Sequence, residues 1–572
     1  MTAMVELFMP LNPGILLILV GVIAALIPER ADRWLVIAAP VVMLGYLFGV
    51  DFGHHAPIAF LDYQLEAFRL DALSRVFGTI FLISVFLCNV FAMGDNIDRT
   101  QRAAAQIYGG SAVAAVFAGD MITLFVFFEL AAVASVFLIW ARGTERAYRA
   151  GMRYLIIQIT AGVILLSGVL VHVANTGSIA FNHLGLDTPG GGLILVAFAI
   201  KCAFPLLHNW LQDAYPEATV SGTVILSAFT TKMAVYALAR SYAGTEMLIW
   251  IGAVMAIFPI LFAIIENDLR RVLAYSLNHQ LGFMVVGIGI GTELALNGAI
   301  SHAFASVHYQ GLLFMTMGAV LFRVGTANAS ELGGLYKSMP WTAGFCLVGA
   351  AAISSLPLLA GFVTKSMTLT AAANEGYELA WMALVLASAG AFLHSGIKVP
   401  YTAFFGADSG KRPKEAPLPM LVAMAFTSAL CIGIGVYPQA LYALLPFPVE
   451  YVAYSTYHVV NQLQILTFAA LAVVILMLTR AYPAELRAIN LDTDWFYRRA
   501  AKAAFLAVGR LIDRANGWAT SSLIRLIGGF ISLCRGEFNP LGTMGGSSRV
   551  GSGVAWISAL LLVGLVVAYG AS

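Results

Sequence analysis

The chain has 572 residues, of which 60% are hydrophobic and 11% are charged, and its formal net charge is +2. A soluble domain carries about 25% charged residues, so most of this chain is too apolar to face water. The composition therefore excludes a soluble globular protein and indicates a protein that crosses the membrane many times. The near-neutral charge balance gives no reason to expect a nucleic-acid partner.

Five cysteines are scattered along the chain, most of them inside apolar runs: Cys88, Cys202, Cys346, Cys431 and Cys534. None of them forms a CxxC motif or the Cys/His spacing that zinc and iron–sulfur sites need. We therefore interpret them as small core residues, and we expect neither a metal site nor a cofactor in this chain.

Apolar stretches of roughly 20 residues, the length that crosses a bilayer, recur about sixteen times. Their centres lie near residues 20, 42, 82, 112, 131, 162, 200, 230, 256, 282, 310, 356, 392, 430, 471 and 562. The first run, Ile15–Ile27, has no basic region ahead of it, which argues against a cleaved secretory signal. We therefore predict about sixteen membrane helices, and this run is the first of them.

Basic residues in the predicted loops indicate the orientation of the chain. One set of alternate loops carries most of them: Arg30, Arg33, Arg99, Arg102, Arg142, Arg146, Arg149, Arg153, Arg270, Arg271, Arg323, Lys337, Lys411, Arg412 and Lys414. The intervening loops carry only Arg69, Arg75 and Arg240. Because cytoplasmic loops are enriched in lysine and arginine, we predict a bacterial inner-membrane protein with both termini on the periplasmic side.

Five ionisable residues lie in or at the edges of the predicted spans: Glu129, Lys201, Lys232, Lys365 and Lys398. A charge at such a depth costs about 3 kcal/mol on insertion scales, so we expect these groups to face a polar cavity and to serve function. Lys398 has a second interpretation, because a lysine near a helix end can reach the membrane surface with its amine. A carboxylate and an ammonium brought together stabilise each other's charged forms, and such a pair can exchange protons when its separation changes.

The four lysines form two pairs of similar spacing along the chain. Pro205 follows the first member of one pair, Lys201, whereas Pro357 and Gly361 precede the first member of the other pair, Lys365. Broken helices at corresponding places in two halves of a transporter point to an internal repeat with sites near the membrane midplane. We expect the proline's change of side to reflect an inverted relation between the halves.

Several histidines lie in or near the same spans: His208, His279, His302, His308 and His394. A histidine titrates at about pH 6.5 and can pass a proton at either ring nitrogen, so these residues are relay candidates. A lone membrane histidine can also be hydrogen-bonded packing. Six residues separate His302 from His308, which is about 240° around a helix, so the two cannot both face one axis.

The segment after residue 482 differs in kind from the rest. From Trp495 to Arg535, basic residues alternate with leucine, isoleucine and phenylalanine at helical spacing, which predicts an amphipathic helix interrupted at Gly517. Such a helix either anchors in lipid headgroups or braces partner subunits. Gly536–Ser552 is rich in glycine and serine, which is typical of a linker, and it leads to a final anchor helix.

Four long motifs occur in this order along the chain: FRLDALSRVFG, KCAFPLLHNWLQDAYPEATVSGTVILSAFTTKMAVYALAR, NDLRRVLAYSLNHQLGFMVVGIGIGTELALNGA and SSLPLLAGFVTKS. With them, the region 65–440 resembles the proton-channelling antiporter-like subunits of complex I, membrane-bound hydrogenases and Mrp-type antiporters, and most of all the Mrp D subunit. The resemblance implies an all-α polytopic membrane protein. Its 14-helix antiporter-like core would contain two inverted five-helix repeats with broken helices.

The resemblance also suggests how the chain is divided. We expect N-terminal membrane helices (1–100), a first half-channel repeat (101–245), a second half-channel repeat (246–410), C-terminal core helices (411–482), a lateral helix with linker (483–550) and a terminal anchor helix (551–572). The last two segments, in which LDTDWFYRR begins the lateral helix, resemble the C-terminal extension of complex I's most distal subunit.

The resemblance implies roles for several of the ionisable residues. Glu129 and Lys201 match the acid–lysine pair of the first half-channel, and Lys232 matches the lysine that connects it inward. His302 matches a histidine of the central relay. Lys365 matches the lysine of the broken helix in the second half-channel.

The chain departs from the family pattern at the centre of this relay. Where related sequences read approximately H-x-x-x-H-x-x-x-K, this chain has His302, Ser306 and Gln310. Serine and glutamine can hydrogen-bond and hold water, but neither carries a charge near neutral pH, so the relay is weakened here. Lys398 keeps to the pattern, because HSGIKVPYTAFFG is similar to the Mrp type.

We expect an ion-transporter subunit rather than an enzyme, and three functions are consistent with these features. The first is a proton-conducting subunit of a multisubunit monovalent cation (Na+)/proton antiporter. The second is a degenerate paralogue with a structural or regulatory role. The third is the membrane coupling subunit of a complex I-like, hydrogenase or inorganic-carbon uptake complex.

The first hypothesis places a proton path near the membrane midplane. Its members would be Glu129, Lys201, Lys232, His302, Lys365 and Lys398, and its candidate relay positions are His208, His279, Ser306, His308 and Gln310. The expected partners are other membrane subunits, the lipid bilayer, protons and a cation such as Na+.

Overall fold

The structure of the protein is a computed structural model that describes residues 10–95, 97–483, 485–486, 490–539, 541–542 and 550–570. The chain divides into two compact units, Met1–Asn490 and Leu491–Ser572. The first unit contains long apolar helices and one two-stranded sheet. The fold class predicted from the sequence, a helical polytopic membrane protein, is confirmed.

The first membrane helices follow one another along the chain with short connections. They are α1 (Pro13–Leu26), α2 (Glu29–Gly49), α3 (Ala72–Ala92), α4 (Arg99–Val116), α5 (Met121–Trp140) and α6 (Glu145–Thr176). Asp71, Asp98, Asp120 and Thr144 precede α3 to α6, and each accepts a bond from a backbone N–H of the first helical turn. These side chains satisfy donors that a helix start leaves open, so they define where the four apolar spans begin.

A β-hairpin lies between α2 and α3, and the sequence analysis did not anticipate it. Strands β1 (Gly53–Phe60) and β2 (Tyr63–Leu70) pair antiparallel through a turn in which Leu61 has a φ of 51°. Phe68 and Leu70 at the end of β2 are buried. Their burial attaches the hairpin to the helical core next to the start of α3.

The following helices of the first half are interrupted. They are α7 (Gly191–Lys201), α8 (Asn209–Ala214), α9 (Val220–Ala228) and α10 (Thr230–Ser241). Between α7 and α8, Ala203 and Leu206 adopt left-handed backbone with φ of 57° and 72°. Such a conformation costs about 1–3 kcal/mol per non-glycine residue, so the surrounding structure must hold this break in place.

The second half contains a corresponding set of helices. They are α11 (Met247–Ile265), α12 (Leu269–Ile290), α13 (Glu293–Val324), α14 (Pro340–Ile353), α15 (Ala360–Asn374), α16 (Glu378–Ala391), α17 (Leu418–Val436), α18 (Gln439–Tyr442) and α19 (Thr456–Leu478). Between α16 and α17 the chain forms two π-helical stretches, Phe392–Lys398 and Tyr401–Phe405. The intervening Pro400 has no N–H to donate, which accounts for the shifted hydrogen-bond pattern. Short 3₁₀ turns occupy Tyr215–Glu217, Ala329–Glu331 and Leu335–Lys337.

The break between α14 and α15 repeats the backbone of the earlier break. Ser355 and Leu358 have φ of 61° and 72°, which match the values of 57° and 72° at Ala203 and Leu206. Two interrupted helices of the same backbone geometry therefore occupy corresponding places in the two halves, as the lysine and proline pattern predicted.

The proline has the same position in the two breaks, and the inverted relation between the halves stays a prediction. Pro205 and Pro357 each precede the second left-handed residue of their break, so the prolines correspond. The lysine is the group that changes side, because Lys201 ends the helix before its break whereas Lys365 lies in the helix after its break. An inverted repeat flips the orientation in the membrane and preserves chain order, so the proline does not have to change side.

The predicted spans agree closely with the helices of the structure. Every predicted centre falls on a helix except residue 356, which lies in the break between α14 and α15. Among the described residues, 13 helices are long and apolar enough to cross a membrane, and Pro13–Leu26, Gly191–Lys201 and Pro340–Ile353 are shorter apolar helices. One of the 13 is the amphipathic segment Arg498–Glu537, which the sequence places along a surface rather than across the membrane.

The second unit contains a π-helical stretch, Phe496–Ala501, and two helices, α20 (Lys502–Glu537) and α21 (Val550–Gly570). The predicted amphipathic helix is present, but the predicted interruption at Gly517 is wrong, because α20 continues through that residue. A single glycine lowers helix stability by only about 1 kcal/mol. Part of the predicted linker, residues 540 and 543–549, lies outside the described residues, and both of its ends belong to the neighbouring helices.

Candidate functional site

The structure brings together the predicted acid–lysine pair. Lys201, the last residue of α7, places its Nζ 3.5 Å from Oε1 of Glu129 on α5 and 3.4 Å from Oε1 of Gln158 on α6. The Lys201 side chain is 2% exposed, and that of Glu129 is 22% exposed. Gly162 on α6 leaves room for the Glu129 carboxylate, which a Cβ at this position would meet. A loose ion pair therefore lies among three helices.

The helix break positions the Lys201 amine. Because α7 stops at Lys201, its last carbonyls lose their intrahelical partners. The Trp210 indole Nε1–H donates to the Ile200 carbonyl at 2.9 Å and replaces one of these bonds. The break thus ends the helix beside the lysine while the buried polar backbone stays satisfied.

Lys232 lies near the start of α10. Its Nζ donates to the Ser227 carbonyl at 3.2 Å, and this carbonyl is available because the helix is interrupted at Phe229 between α9 and α10. Lys232 is buried, and no carboxylate among the described residues pairs with it. A buried amine with one protein acceptor needs water for its remaining donors.

His302 is the centre of a cluster that the sequence analysis identified only in part. Its Nδ1 lies 3.1 Å from Thr364 Oγ1, and its Nε2 lies 3.1 Å from Gln280 Oε1. The Tyr309 hydroxyl donates to the same Gln280 oxygen at 3.0 Å and lies 3.3 Å from His302 Nε2. Tyr309 follows His302 by two helical turns, so periodicity alone could have placed it on the same face.

Lys365 joins this cluster to the second broken helix. Its Nζ donates to the Ile353 carbonyl at 2.6 Å, across the break from α15 to the end of α14. It also lies 5.1 Å from the centre of the Phe283 ring. The neighbouring Thr364 contacts His302. Within the described part of the chain, no carboxylate pairs with Lys365.

The candidate relay positions on α13 point to different surroundings. Gln310 donates from Nε2 to the Leu273 carbonyl at 2.7 Å, and Ser306 donates to the Ala303 carbonyl at 3.1 Å. His308 bonds through Nδ1 to the Phe304 carbonyl at 2.8 Å and lines a water-sized cavity next to Cys88. Within the described part of the chain, none of the three forms a hydrogen bond with His302.

Two further histidines connect α12 to the π-helical stretch. The His279 and His394 rings are 5.5 Å apart, and His394 Nδ1 lies 2.8 Å from Ser395 Oγ. Ser395 in turn donates to Ser276 Oγ at 2.8 Å. His208 is elsewhere, with its ring 4.6 Å from the Phe258 ring. His279 and His394 therefore lie together, whereas His208 joins a separate aromatic contact.

Lys398 is buried in the protein beside the end of α11, and the interpretation that its amine reaches the membrane surface stays a prediction. Its Nζ donates to the carbonyls of Ile264 and Glu266 at 2.6 and 2.7 Å and lies 3.1 Å from Oε2 of Glu485. The sequence analysis missed Glu485, which follows the last helix of the first unit. Its isolated position after α19 gave no sequence signal, because only the fold brings it to Lys398.

The chain is similar to known membrane subunits. Residues 118–391 match the family described as NADH:quinone oxidoreductase/Mrp antiporter, TM. The chain is 28% identical to hydrogenase-4 component B of Escherichia coli over 66% of the chain and 63% of that protein. It is 31% identical to the D subunit of the Na+/H+ antiporter of Alkalihalophilus pseudofirmus over 51% of the chain and 63% of that protein. The chain thus spans less than two thirds of either relative.

A solved structure shares the fold. The Mrp complex from Dietzia sp. contains a chain that superposes with a TM-score of 0.66 at 22% identity, covering 74% of this chain and 91% of that chain. At this identity the likeness concerns the fold. Together with the family match, it confirms the resemblance that the four sequence motifs indicated.

Proposed function

We propose that this chain, whose residues 118–391 match the family described as NADH:quinone oxidoreductase/Mrp antiporter, TM, conducts protons in a multisubunit monovalent cation (Na+)/proton antiporter. The observation that carries the proposal is the ion pair between the buried Lys201 and the partly exposed Glu129. A charged pair inside a membrane protein is costly, and a pair with a 3.5 Å separation is too loose to be explained by stability alone.

Proton movement in the first half would follow from the spacing of this pair. With Glu129 ionised and close, the Lys201 ammonium is stabilised. When their separation grows, the stabilisation falls and Lys201 can pass a proton through water to Lys232. The partly exposed Glu129 carboxylate lies at the entrance of this route, and the buried Lys232 lies farther inside.

The centre of the route would use hydrogen-bonded neutral groups. His302, Tyr309 and Gln280 form one connected set, and Thr364 links His302 to the residue before Lys365. A histidine and a phenol can each donate and accept a hydrogen bond, so this set supports the proposal that they compensate for the missing lysine at Gln310. Water would have to bridge Lys232 to the set.

The partners, the cation and the location are part of the proposal. The names of the two relatives describe a hydrogenase component and a part of an Na+/H+ antiporter, and the chain spans 63% of each. We propose other membrane subunits as partners, protons and Na+ as the exchanged ions, and a bacterial inner membrane as the location. The distribution of basic loops supports periplasmic termini.

The test is cation-driven proton exchange in everted membrane vesicles that contain the intact assembly. Glu129→Gln and Lys201→Ala are expected to lower exchange by about 100-fold, the contribution of one positioned proton-transfer group. Lys337→Ala is the matched control, because this lysine is 45% exposed and pairs with Asp408 on the loop side. Normal exchange in both path variants, with normal assembly, would refute the proposal.

The second candidate function is a degenerate subunit that supports its assembly without a complete path. Gln310 favours it, because its side chain is held by the Leu273 carbonyl and cannot carry a proton as an ammonium does. Gln310→Lys separates the two functions. If the chain conducts protons slowly because the lysine is missing, the substitution should change the pH profile of exchange. If the chain is only a scaffold, no proton flux should be seen before or after the substitution.

The third candidate is the coupling subunit of a complex I-like, hydrogenase or inorganic-carbon uptake complex. The match to hydrogenase-4 component B favours it. Purification of the chain with its natural partners distinguishes it, because redox or carbon-uptake subunits would then accompany the chain in place of antiporter subunits.

A further inference from the structure

Lys398, the last lysine of the second half, uses two of its three N–H donors in hydrogen bonds to backbone carbonyls. Two N–H groups of Lys398 donate to the backbone carbonyls of Ile264 and Glu266 at 2.6 and 2.7 Å. The remaining contact is the 3.1 Å approach to Oε2 of Glu485. An ammonium has three N–H donors and the two carbonyls use two of them, so loss of the third proton leaves a neutral amine with both carbonyl bonds intact.

Glu485 connects this buried amine with the outside of the helix bundle. The Lys398 side chain is fully buried, whereas that of Glu485 is 18% exposed. Both line a cavity of about 530 Å³ whose wall also contains Tyr401, Thr402 and Tyr482. A space of this size holds many water molecules. Among the described residues, neither carboxylate oxygen of Glu485 has a hydrogen-bond partner, and Oε2 has only the 3.1 Å ion-pair contact with Lys398, so the carboxylate can receive water or a proton.

The segment after α19 is attached to the core on both sides of Lys398. Asn490 Nδ2 donates to Oε2 of Glu266 at 3.2 Å, and Glu266 supplies one of the two carbonyls that hold Lys398. Glu485 and Asn490 thus dock on the same junction between α11 and α12. This attachment keeps the carboxylate at the amine and is not a chance surface contact.

We propose that Glu485 is the proton-exchange group between Lys398 and the water of the adjoining cavity. In the outward step the Lys398 N–H bond breaks, the proton binds the Glu485 carboxylate and the amine becomes neutral. The carboxylic acid then releases the proton to water, and the reverse sequence loads the lysine. The proposal rests on proton conduction as the proposed function, but it assigns a terminal group outside the family match of residues 118–391.

The surroundings of Glu485 suit a carboxyl that exchanges protons. Burial raises its pKa above the ordinary value of 4.5, and the nearby Lys398 opposes this rise. The raised pKa makes the protonated carboxyl easier to form than at an exposed glutamate. The other titratable or charged groups that face the pair are Glu266, Arg271, His394, Tyr401, Arg480 and Tyr482.

The experiment measures cation-driven proton exchange in everted vesicles, whose outer face is the cytoplasmic face of the assembly. Glu485→Gln and Glu485→Ala are expected to lower the rate at least tenfold at neutral pH, and Glu485→Asp is expected to retain most of it. Because Lys398 must then release its proton directly to hydroxide, the residual rate should rise with pH. A merely structural contact would instead lower the rate by the same factor at every pH.

Chemical rescue gives a second readout. Azide, a small proton acceptor that fits the cavity, should restore exchange in Glu485→Ala and not in Glu129→Gln. Asp408→Asn is the control, because this loop carboxylate pairs with Lys337 and Arg412 and contacts no lysine of the spans.

The outcomes separate this inference from the proposed function. If Glu129→Gln is inactive while Glu485→Gln keeps the wild-type rate and pH profile, the role of Glu485 is wrong and proton conduction stands. If neither substitution changes exchange, proton conduction is wrong and the role of Glu485 is wrong with it. A uniform loss in Glu485→Ala that azide does not restore also overturns the role of Glu485.

Discussion

In the first half of the helical core Lys201 faces the Glu129 carboxylate at 3.5 Å, whereas in the second half Lys365 donates to the Ile353 carbonyl at 2.6 Å. The two broken helices have the same backbone, so the scaffold does not explain the difference. The lysine lies before the break in one half and after it in the other. Repetition of a fold therefore does not impose repetition of the charge arrangement.

The second half also contains a lysine–carboxylate pair, but its carboxylate comes from another part of the chain. Glu485 belongs to the segment after the last core helix and pairs with Lys398. The first half thus has its ion pair at the broken helix, and the second half has it where the π-helical stretch ends. Lys365 differs from the lysines of both ion pairs. Among the described residues, no carboxylate pairs with it to stabilise its ammonium form.

The largest expected effect comes from removing the isolated lysine. Lys365→Met should lower proton exchange by about 100-fold, since one protonatable group is lost and the Ile353 carbonyl cannot replace it. The measurement is the initial exchange rate in vesicles with equal amounts of assembled complex. Lys337→Ala should leave the rate unchanged. A wild-type rate in Lys365→Met would mean that protons do not pass through the second half.

A smaller effect should follow from disturbing the ion pair without removing its charges. Gly162→Val places atoms where the Glu129 carboxylate lies, so the carboxylate must move away from Lys201, and exchange should fall about tenfold. Gly311→Ala is the matched control, because a Cβ at this buried helical glycine has no heavy atom within 4 Å. Equal rates in the two variants would show that the geometry of the pair is unimportant.

The neutral cluster between the halves should contribute less. Tyr309→Phe removes the hydroxyl that contacts Gln280 and His302, and the loss of one hydrogen bond of about 1 kcal/mol corresponds to roughly a fivefold slower exchange. Tyr242→Phe removes a hydroxyl that donates to the Gly191 carbonyl, away from this cluster. The cluster has no part in transfer if the two variants exchange protons at the same rate.

The smallest expected effect is a difference in the titration of two carboxyl groups outside the spans, those of Glu485 and Asp408. Burial raises the pKa of Glu485 above 4.5, whereas hydrogen bonds from Arg412 and Lys337 lower the pKa of Asp408. Slightly above pH 4.5, Glu485 should keep its proton while Asp408 is ionised. Lys398→Met removes the charge that opposes the rise, so the Glu485 titration should move to still higher pH.

Infrared difference spectra measure these titrations through the carboxylic C=O band. Glu485→Gln identifies the band, and Asp408→Asn is the control that should leave it unchanged. A Glu485 band that titrates at or below 4.5, or that does not respond to Lys398→Met, would contradict the assignment.

The sequence predicted most of the fold because membrane helices carry a strong signal in length and hydropathy. It also located Lys201 and Lys365 at broken helices from nearby prolines. The hairpin of β1 and β2 was missed, because a short two-stranded element with its outer part exposed has little periodic apolar pattern. Gly517 was misjudged because local propensity is weak beside the rest of a long helix.

The site was predictable where one residue carries the signal. A charge inside an apolar run identified Glu129 and Lys201, and the structure places them together. Gln280 and Glu485 gave no such signal, since a polar residue on a helix and an acid in a loop are ordinary features. The roles of Gln280 and Glu485 become visible only from contacts between separate segments of the chain. Gln280 contacts His302, 22 residues away in sequence, and Glu485 contacts Lys398.

A double-mutant cycle on the first ion pair tests the central claim most directly. Proton exchange is measured for the wild-type assembly, Glu129→Gln, Lys201→Met and the double variant in vesicles of equal complex content. If the pair acts as one unit, each single variant loses about 100-fold and the double variant is no slower than either. The account would be contradicted if the loss in the double variant equalled the product of the two single losses. Normal exchange in the double variant would contradict it as well.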